Sequence, residues 1–303
     1  MLIEYPKIHQ LGKKETLGIL IGTCTIQEKV DGANVSIWMG KSEIKCGSRT
    51  RELSDNGFNG FVGFVKDNQS IKDYLTAFPR HRLYGEWLVQ HTISYNSNNY
   101  KRMYLFDILD EDGKFLPQNE VEKVAKEIGL RYPQIFGIFE NPTEESLKEF
   151  VGKTNLGDKG EGIIIKNLDF KNEFSDLCYA KMVAENFKES NAIPFGGNDK
   201  TLDTYWEIYI VNKYCTLARV QKIMHKIQPE INEKLDLKHI PRVSQTCYHD
   251  LITEEMWEIQ AKVVNLNFRS LKLLCGKKFI EIYKEIIEEL TKARIENVNT
   301  NLI

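Results

Sequence analysis

Apolar positions fall in two rhythms along the chain. Through about residue 200 they form short β-branched and aromatic runs set off by glycine turns. Val35-Ser36-Ile37-Trp38, Tyr104-Leu105-Phe106-Asp107-Ile108 and Ile163-Ile164-Ile165 all predict strands. Asp110-Glu111-Asp112-Gly113, after the second run, has the chemistry of a turn. One helix interrupts this series: Val121, Val124, Ala125 and Ile128 recur at helical spacing, and Gly129 supplies a stop. Such a succession predicts an α+β fold rather than regular βαβ alternation.

From about residue 203 the rhythm becomes helical. Ile210, Tyr214, Leu217, Met224 and Ile227 form one stripe, and Phe279, Ile282, Tyr283, Ile286, Ile287 and Leu290 form a second. After Gly197 the only glycine is Gly276 and the only prolines are Pro229 and Pro241, too few turn formers for a small β-barrel. Asn191-Ala192-Ile193-Pro194-Phe195-Gly196-Gly197-Asn198 reads as a linker. Two domains are therefore expected, residues 1–198 and an all-helical 199–303.

Composition narrows the class without naming it. A chain of 303 residues that is 42% hydrophobic and 28% charged is ordinary globular protein. No apolar run reaches the ~18 residues of a membrane span, and residues 1–10 lack the apolar core of a signal peptide, so no membrane association and a cytoplasmic location are expected. The six cysteines are scattered without a close pair, and the histidines show no metal-ligand spacing. A net charge of −2, with acids and bases nearly balanced on both sides of residue 202, excludes diffuse attraction to nucleic acid. Any phosphate-binding surface must be local.

Candidate chemistry begins with a rejection. Gly152-Lys153-Thr154 imitates the end of a phosphate-binding loop, but Leu147 stands where that motif needs its first glycine. Glu28-Lys29-Val30-Asp31-Gly32-Ala33-Asn34 places an amine close to an aspartate and a glycine, a weak signal taken alone. Five later runs, in a fixed order, strengthen it: Arg49 in Ser48-Arg49-Thr50, Glu86 in Tyr84-Gly85-Glu86-Trp87, Phe106 in Leu105-Phe106-Asp107-Ile108, Glu161 in Gly160-Glu161-Gly162-Ile163-Ile164-Ile165-Lys166, and Lys181 in Tyr179-Ala180-Lys181-Met182. Each has a plain structural alternative, such as a loop cation, a core aromatic or a solvated charge.

Taken together, the series from about Thr25 to Phe187 resembles the covalent nucleotidyltransferase superfamily of ATP-dependent ligases and mRNA capping enzymes. Tyr214-Cys215-Thr216-Leu217-Ala218-Arg219-Val220, with Lys226-Ile227 after it, is similar to the helical C-terminal domain of the phage nick-sealing RNA ligases. The resemblance implies a nucleotidyltransferase domain of antiparallel sheets and helices followed by a small helical domain. It implies an ATP-dependent RNA ligase that joins 3′-OH and 5′-phosphate ends through a lysyl-AMP intermediate. Its partners would be RNA ends or nicks in a duplex, with mixed RNA/DNA strands admitted and no obligate protein partner. Lys29 would be the nucleophile. Glu28, Asn34, Arg49, Glu86, Phe106, Lys166 and Lys181 would bind ATP or AMP, the backbone at Glu28 along the adenine edge and Phe106 stacked on the base. Asp31, Glu86 and Glu161 would orient Mg²⁺ or Mn²⁺ through water. One departure is visible: Val183 stands where the nick-sealing ligases usually carry a second lysine, and Lys188 is the nearest substitute.

The physical demand agrees with those roles. A lysine with an ordinary pKa is only about one part in 2500 neutral at pH 7, and nearby carboxylates raise its pKa further. A hydrated divalent cation above the carboxylates reverses that sign. DNA ligases and capping guanylyltransferases share the early motifs but typically continue into a β-barrel, and a non-catalytic nucleic-acid-binding relative is the remaining alternative. In the helical region Arg219, Lys222 and Lys226 share one face, a candidate contact for strand phosphates.

Overall fold

The computed structural model describes every residue except 1, 55–57, 90–92, 174–175, 185–204, 232, 264–265 and 301–303. The chain divides into two compact units, Met1–Ala184 and Glu185–Ile303. The expected linker at 191–198 and the substitute cation Lys188 lie outside the described residues.

The described residues of the first unit form ten strands: β1 (Ile8–Gln10), β2 (Thr23–Lys29), β3 (Ala33–Met39), β4 (Ile44–Ser48), β5 (Glu52–Leu53), β6 (Arg82–Leu88), β7 (Arg102–Leu109), β8 (Ile135–Glu140), β9 (Gly162–Lys166) and β10 (Tyr179–Val183). They form two five-stranded sheets, ordered β1-β10-β9-β2-β8 and β5-β4-β3-β6-β7. Every pairing is antiparallel except β1 with β10. All three predicted strand runs fall inside β3, β7 and β9.

Alternation of side chains across a strand gives each sheet one buried face. In the first sheet Ile26, Ile163, Ile165, Ala180 and Met182 pack with Leu147 from the short helix α4 (Glu144–Lys148). In the second, Val35, Ile37, Leu83, Trp87 and Leu105 pack with helices α1 (Phe61–Asp67), α2 (Gln69–Ala77) and α3 (Gln118–Glu127). The predicted helix is α3, and its stop is physical: Gly129 has φ +70°, and Leu130 N–H closes the last turn on Ala125 O at 2.8 Å.

In the second unit the described residues form helices α5 (Tyr205–Tyr214), α6 (Leu217–Ile227), α7 (Ile240–Lys262) and α8 (Phe268–Thr300), with short 3-10 turns and no strand. One apolar cluster joins them, with Ile210, Tyr214, Val220, Leu251, Phe279 and Tyr283 at its centre. The predicted stripe from Ile210 to Ile227 is two helices rather than one. Thr216 caps the second by accepting the Arg219 N–H at 3.3 Å, which turns Leu217 outward to 52% exposure. Leu290 of the second stripe is likewise exposed, at 43%.

Candidate active site

The faces of the two sheets opposite the apolar cores carry the predicted chemistry. Residues opposite one another in antiparallel strands share a face. Lys29 pairs with Gly162, and Gly162 pairs with Val183; Gln27 pairs with Ile164, and Ile164 with Lys181. Lys29, Ile164, Lys181 and Val183 therefore share the face opposite the apolar core. The close packing here demands a glycine, because a Cβ at position 162 would meet Met182 O at 2.0 Å. On the second sheet Asn34 pairs with Glu86, and Glu86 with Tyr104. The turn Val30-Asp31-Gly32 links β2 and β3, and so carries the chain from one sheet to the other. Gly32 N–H donates to Glu86 Oε1 at 3.2 Å, and a Cβ on Gly32 would meet Trp87 O at 2.7 Å.

Lys29 stands in a cluster of carboxylates. Its Nζ lies 2.5 Å from Glu161 Oε2, and the two side chains are only 23% and 14% exposed. Burial pushes the Lys29 pKa down, but Glu161, Glu86 and Asp31 together outweigh it and hold the amine above its ordinary value. Glu86 is pushed up to about 8 by burial, aided by Asp31 and Glu161 and opposed by Lys29. Glu161 is also raised, by burial, while Lys29 and Lys181 pull it down. Four of the predicted residues, Lys29, Asp31, Glu86 and Glu161, thus act on one another, with Lys181 close enough to be felt.

A β-bulge places Phe106. Tyr84 pairs with Asp107 but Gly85 pairs with Leu105, so Phe106 is the extra residue of β7. A bulge re-aims the side chain it carries. The Phe106 ring is half-buried and packs against the cluster that contains Ile164 and Tyr179. Tyr5 meets it edge-on, with ring centroids 4.9 Å apart at 62°. Arg49, just past β4, is exposed, and its charge reaches Tyr5.

Lys166, expected near the phosphates, is held by groups of the protein itself. It is 3% exposed, and its Nζ donates to Asp107 Oδ2 at 2.9 Å, Phe106 O at 2.8 Å and Gln118 Oε1 at 3.2 Å. Burial lowers its pKa, with Asp107 opposing. The alternation that brings Lys166 to the Lys29 side places it under the Phe106 strand, where Asp107 needs a counter-charge. Asp107 also accepts from Tyr5 Oη and from Gln118 Nε2 at 2.7 Å. Tyr5 and Asp107 were missed from sequence. Asp107 adjoins Phe106 in a recognised run, whereas Tyr5 has no linear signal.

Two further residues have partners that the sequence did not suggest. Being next to Lys29 in a strand, Glu28 projects from the opposite face. It is 2% exposed and accepts from Thr154 Oγ1 at 2.5 Å. Its carboxylate therefore lies on the sheet face opposite the Lys29 amine. Asp31 is 7% exposed and accepts the Ile93 N–H on Oδ2 at 2.8 Å, so it anchors a loop while its charge acts on Lys29. Val183, also buried at 7%, adds no cation beside Lys181.

The basic stripe of the second unit does not survive folding. Arg219 is fully buried: it donates to Asp250, to Glu255 Oε1 at 2.9 Å and to Tyr214 O at 3.2 Å. Lys222 pairs with Asp250 at 3.3 Å, and only Lys226 is exposed. Helical spacing alone does not reveal that α7 supplies acids to this face.

A family model for RNA ligase matches residues 22–183, more than half of the chain, and the protein belongs to that family. Among solved structures it is similar to Naegleria gruberi RNA ligase with PPi, at 20% identity and a TM-score of 0.49, over 61% of this chain and 57% of that one. A point mutant of that ligase with ATP and Mn gives a TM-score of 0.48 at 20% identity, with 61% and 57% covered. Another, with AMP and Mn, gives 0.46 at 21% identity, with 62% and 59% covered. The chain therefore spans less than two thirds of the length of each of these structures. No curated protein matches it.

Proposed function

We propose that this protein is an ATP-dependent RNA ligase that joins a 3′-OH to a 5′-phosphate through a Lys29–AMP intermediate. The observation that carries this reading is the Lys29 amine, three-quarters buried and bonded to Glu161 in a cluster with Asp31 and Glu86. Membership of the RNA ligase family gives the substrate class.

In the first step Lys29 Nζ attacks the α-phosphorus of ATP, an N–P bond forms and pyrophosphate leaves. Glu161 Oε2, the nearest acceptor, takes the Nζ proton, a task suited to its raised pKa. Phe106 and Ile164 present the apolar surfaces between which adenine is held. Asn34 and Glu86 address the ribose, Arg49 the ribose or phosphates, and Lys181 the α-phosphate, where charge develops. The Glu28 backbone lines the adenine edge. AMP then passes to the 5′-phosphate of a strand, and attack by the 3′-OH joins the ends and releases AMP.

The carboxylates suit a hydrated cation. Glu86 raised to about 8 marks an acidic cluster that resists full ionisation, the condition a divalent ion relieves. Asp31, Glu86 and Glu161, whose charges act together on Lys29, are the residues we assign to orient the ion through its water. Mg²⁺ or Mn²⁺ bound there supplies positive charge that favours a neutral Lys29 and offsets charge on the α-phosphate.

RNA ends or a nick in a duplex, with mixed RNA/DNA strands admitted, are the substrates we assign. The helical second unit favours RNA ligase over the DNA ligase and capping readings. A cytoplasmic site of action is supported by six free, buried cysteines, and no described helix is long and apolar enough to cross a membrane.

The test is incubation with α-labelled ATP and Mg²⁺. Label should appear on Lys29 and vanish in Lys29→Ala, and GTP should not replace ATP. Sealing across a panel of RNA, DNA and mixed nicks then fixes the strand. An unlabelled wild-type protein, or one labelled only by GTP, would refute the assignment.

A further inference from the structure

Residues 152–160 lead directly into Glu161, and hydrogen bonds fix this loop from two directions. Its neck is closed by Gly160 N–H donating to Gly152 O at 2.8 Å. Beyond the neck, Ala184 N–H donates to Glu161 O at 2.9 Å, tying Glu161 to the end of β10. Thr154 then forms the first strut. Its Oγ1 donates to Glu28 Oε1 at 2.5 Å and accepts Leu156 N–H at 3.0 Å. The second strut runs through residues 93–99. Leu156 O accepts Asn96 N–H and Asn99 Nδ2, each at 2.8 Å. The same segment returns to the catalytic turn, because Asp31 N–H donates to Tyr95 Oη at 3.1 Å and Ile93 N–H donates to Asp31 Oδ2 at 2.8 Å. Contact between the segments is close: a Cβ on Gly157 would lie 3.1 Å from Ser94 O.

Both struts end on residues that flank Lys29. Glu28 precedes it and projects from the far face of the sheet; Asp31 follows it in the turn. A loop that needed only to be stable has no reason to end on both. This arrangement fixes Glu161 relative to the lysine amine that it contacts.

We propose that Thr154 is a positioning residue for nucleotidyl transfer, holding Glu161 in register with Lys29 through Glu28, with Tyr95 as the matching strut through Asp31. The proposal rests on the lysine-adenylylation reading above. Thr154 acts from the sheet face opposite Lys29, through the Glu28 carboxylate, so its effect falls on the rate of attack rather than on ATP affinity. Displacements of about 1 Å in a reacting pair cost up to 10²-fold in rate.

The experiment is single-turnover formation of Lys29–AMP by the full chain in Mg²⁺, measured across ATP concentration. Thr154→Val keeps the shape and removes the hydroxyl. It should slow the saturating rate at least tenfold while the half-saturating ATP concentration stays within threefold. Thr154→Ser, which restores the hydroxyl, should recover the rate to within threefold. Tyr95→Phe should slow the step at least threefold, and it decides the matter alone if Thr154→Val fails to fold. A wild-type rate in Thr154→Val, a change in ATP half-saturation alone, or no recovery in Thr154→Ser would each overturn the proposal; so would a wild-type rate in Tyr95→Phe. Wild-type protein that forms no Lys29–AMP overturns the adenylylation reading, and the proposal with it. A labelled wild type alongside an equally fast Thr154→Val overturns the positioning role only.

Discussion

At Lys29 burial and charge oppose each other, and charge wins. The carboxylates proposed to assist the reaction also favour the protonated amine. Glu86 records the cost. Its folded pKa of about 8 stands above the ordinary 4.5, so between those values the folded state binds more protons than the unfolded one, and stability falls as pH rises. In EDTA, Glu86→Gln should therefore melt above wild type at pH 9, and the difference should shrink toward pH 5. Mg²⁺ should raise the wild-type melting temperature more at pH 8 than at pH 5. A gap between variant and wild type independent of pH would contradict this origin. Phe106 offers a second check. If this half-buried ring, packed against the cluster of Tyr5, Tyr84, Ile164 and Tyr179, also stacks on adenine, its replacement by Ala should weaken ATP use by roughly 1–3 kcal/mol, whereas Leu should retain more. If Phe106 were only a core residue, melting temperature would fall while ATP half-saturation held. At this scale Lys29, Glu86 and Glu161 were legible because each sits in a short run of recognisable neighbours. Tyr5 was not, because its importance comes from contacts with residues about a hundred positions away.

Among the elements, β9 does most to place the site. It is fully buried, it joins β2 to β10, and its first residue faces Lys29. Gly162→Ala would push a methyl against Met182 O, so we expect a loss of about 2–3 kcal/mol or more, read as a lower melting temperature together with loss of Lys29–AMP formation. In the second unit Arg219 pins α6 to two acids of α7. Removing one partner of a buried ionic group typically costs about 3–5 kcal/mol. Arg219→Ala should therefore unfold the helical unit by circular dichroism at moderate temperature, while Lys226→Glu should leave its melting unchanged. The strand runs and α3 were legible because period-2 and period-3.6 patterns are local. The bulge at Phe106 was not, since it exists only as a register shift against β6.

Over the whole molecule, the residues proposed for nucleotide chemistry, from Lys29 to Lys181, lie in the unit that ends at Ala184. A fragment 1–184 should form Lys29–AMP from ATP and Mg²⁺ yet lose strand joining, measured by gel on a nicked RNA duplex. A fragment that seals as fast as the full chain would make the helical unit dispensable. The sequence by itself determined the α+β class of the first region, the helical character of the second and the order of the nucleotidyltransferase motifs. Those are properties of neighbours along a chain: side-chain periodicity, turn chemistry and short runs around a reactive group. Only the tertiary structure decided that the Glu28 carboxylate points away from Lys29, that Lys166 is paired with Asp107, and that Arg219 is a buried ion rather than a surface contact. Charge has no fixed role along a sequence. A lysine or arginine becomes a ligand-binding group or a core counter-ion according to which distant acid folding brings to it, and burial makes that choice binding because an unpaired charge cannot be left in the interior.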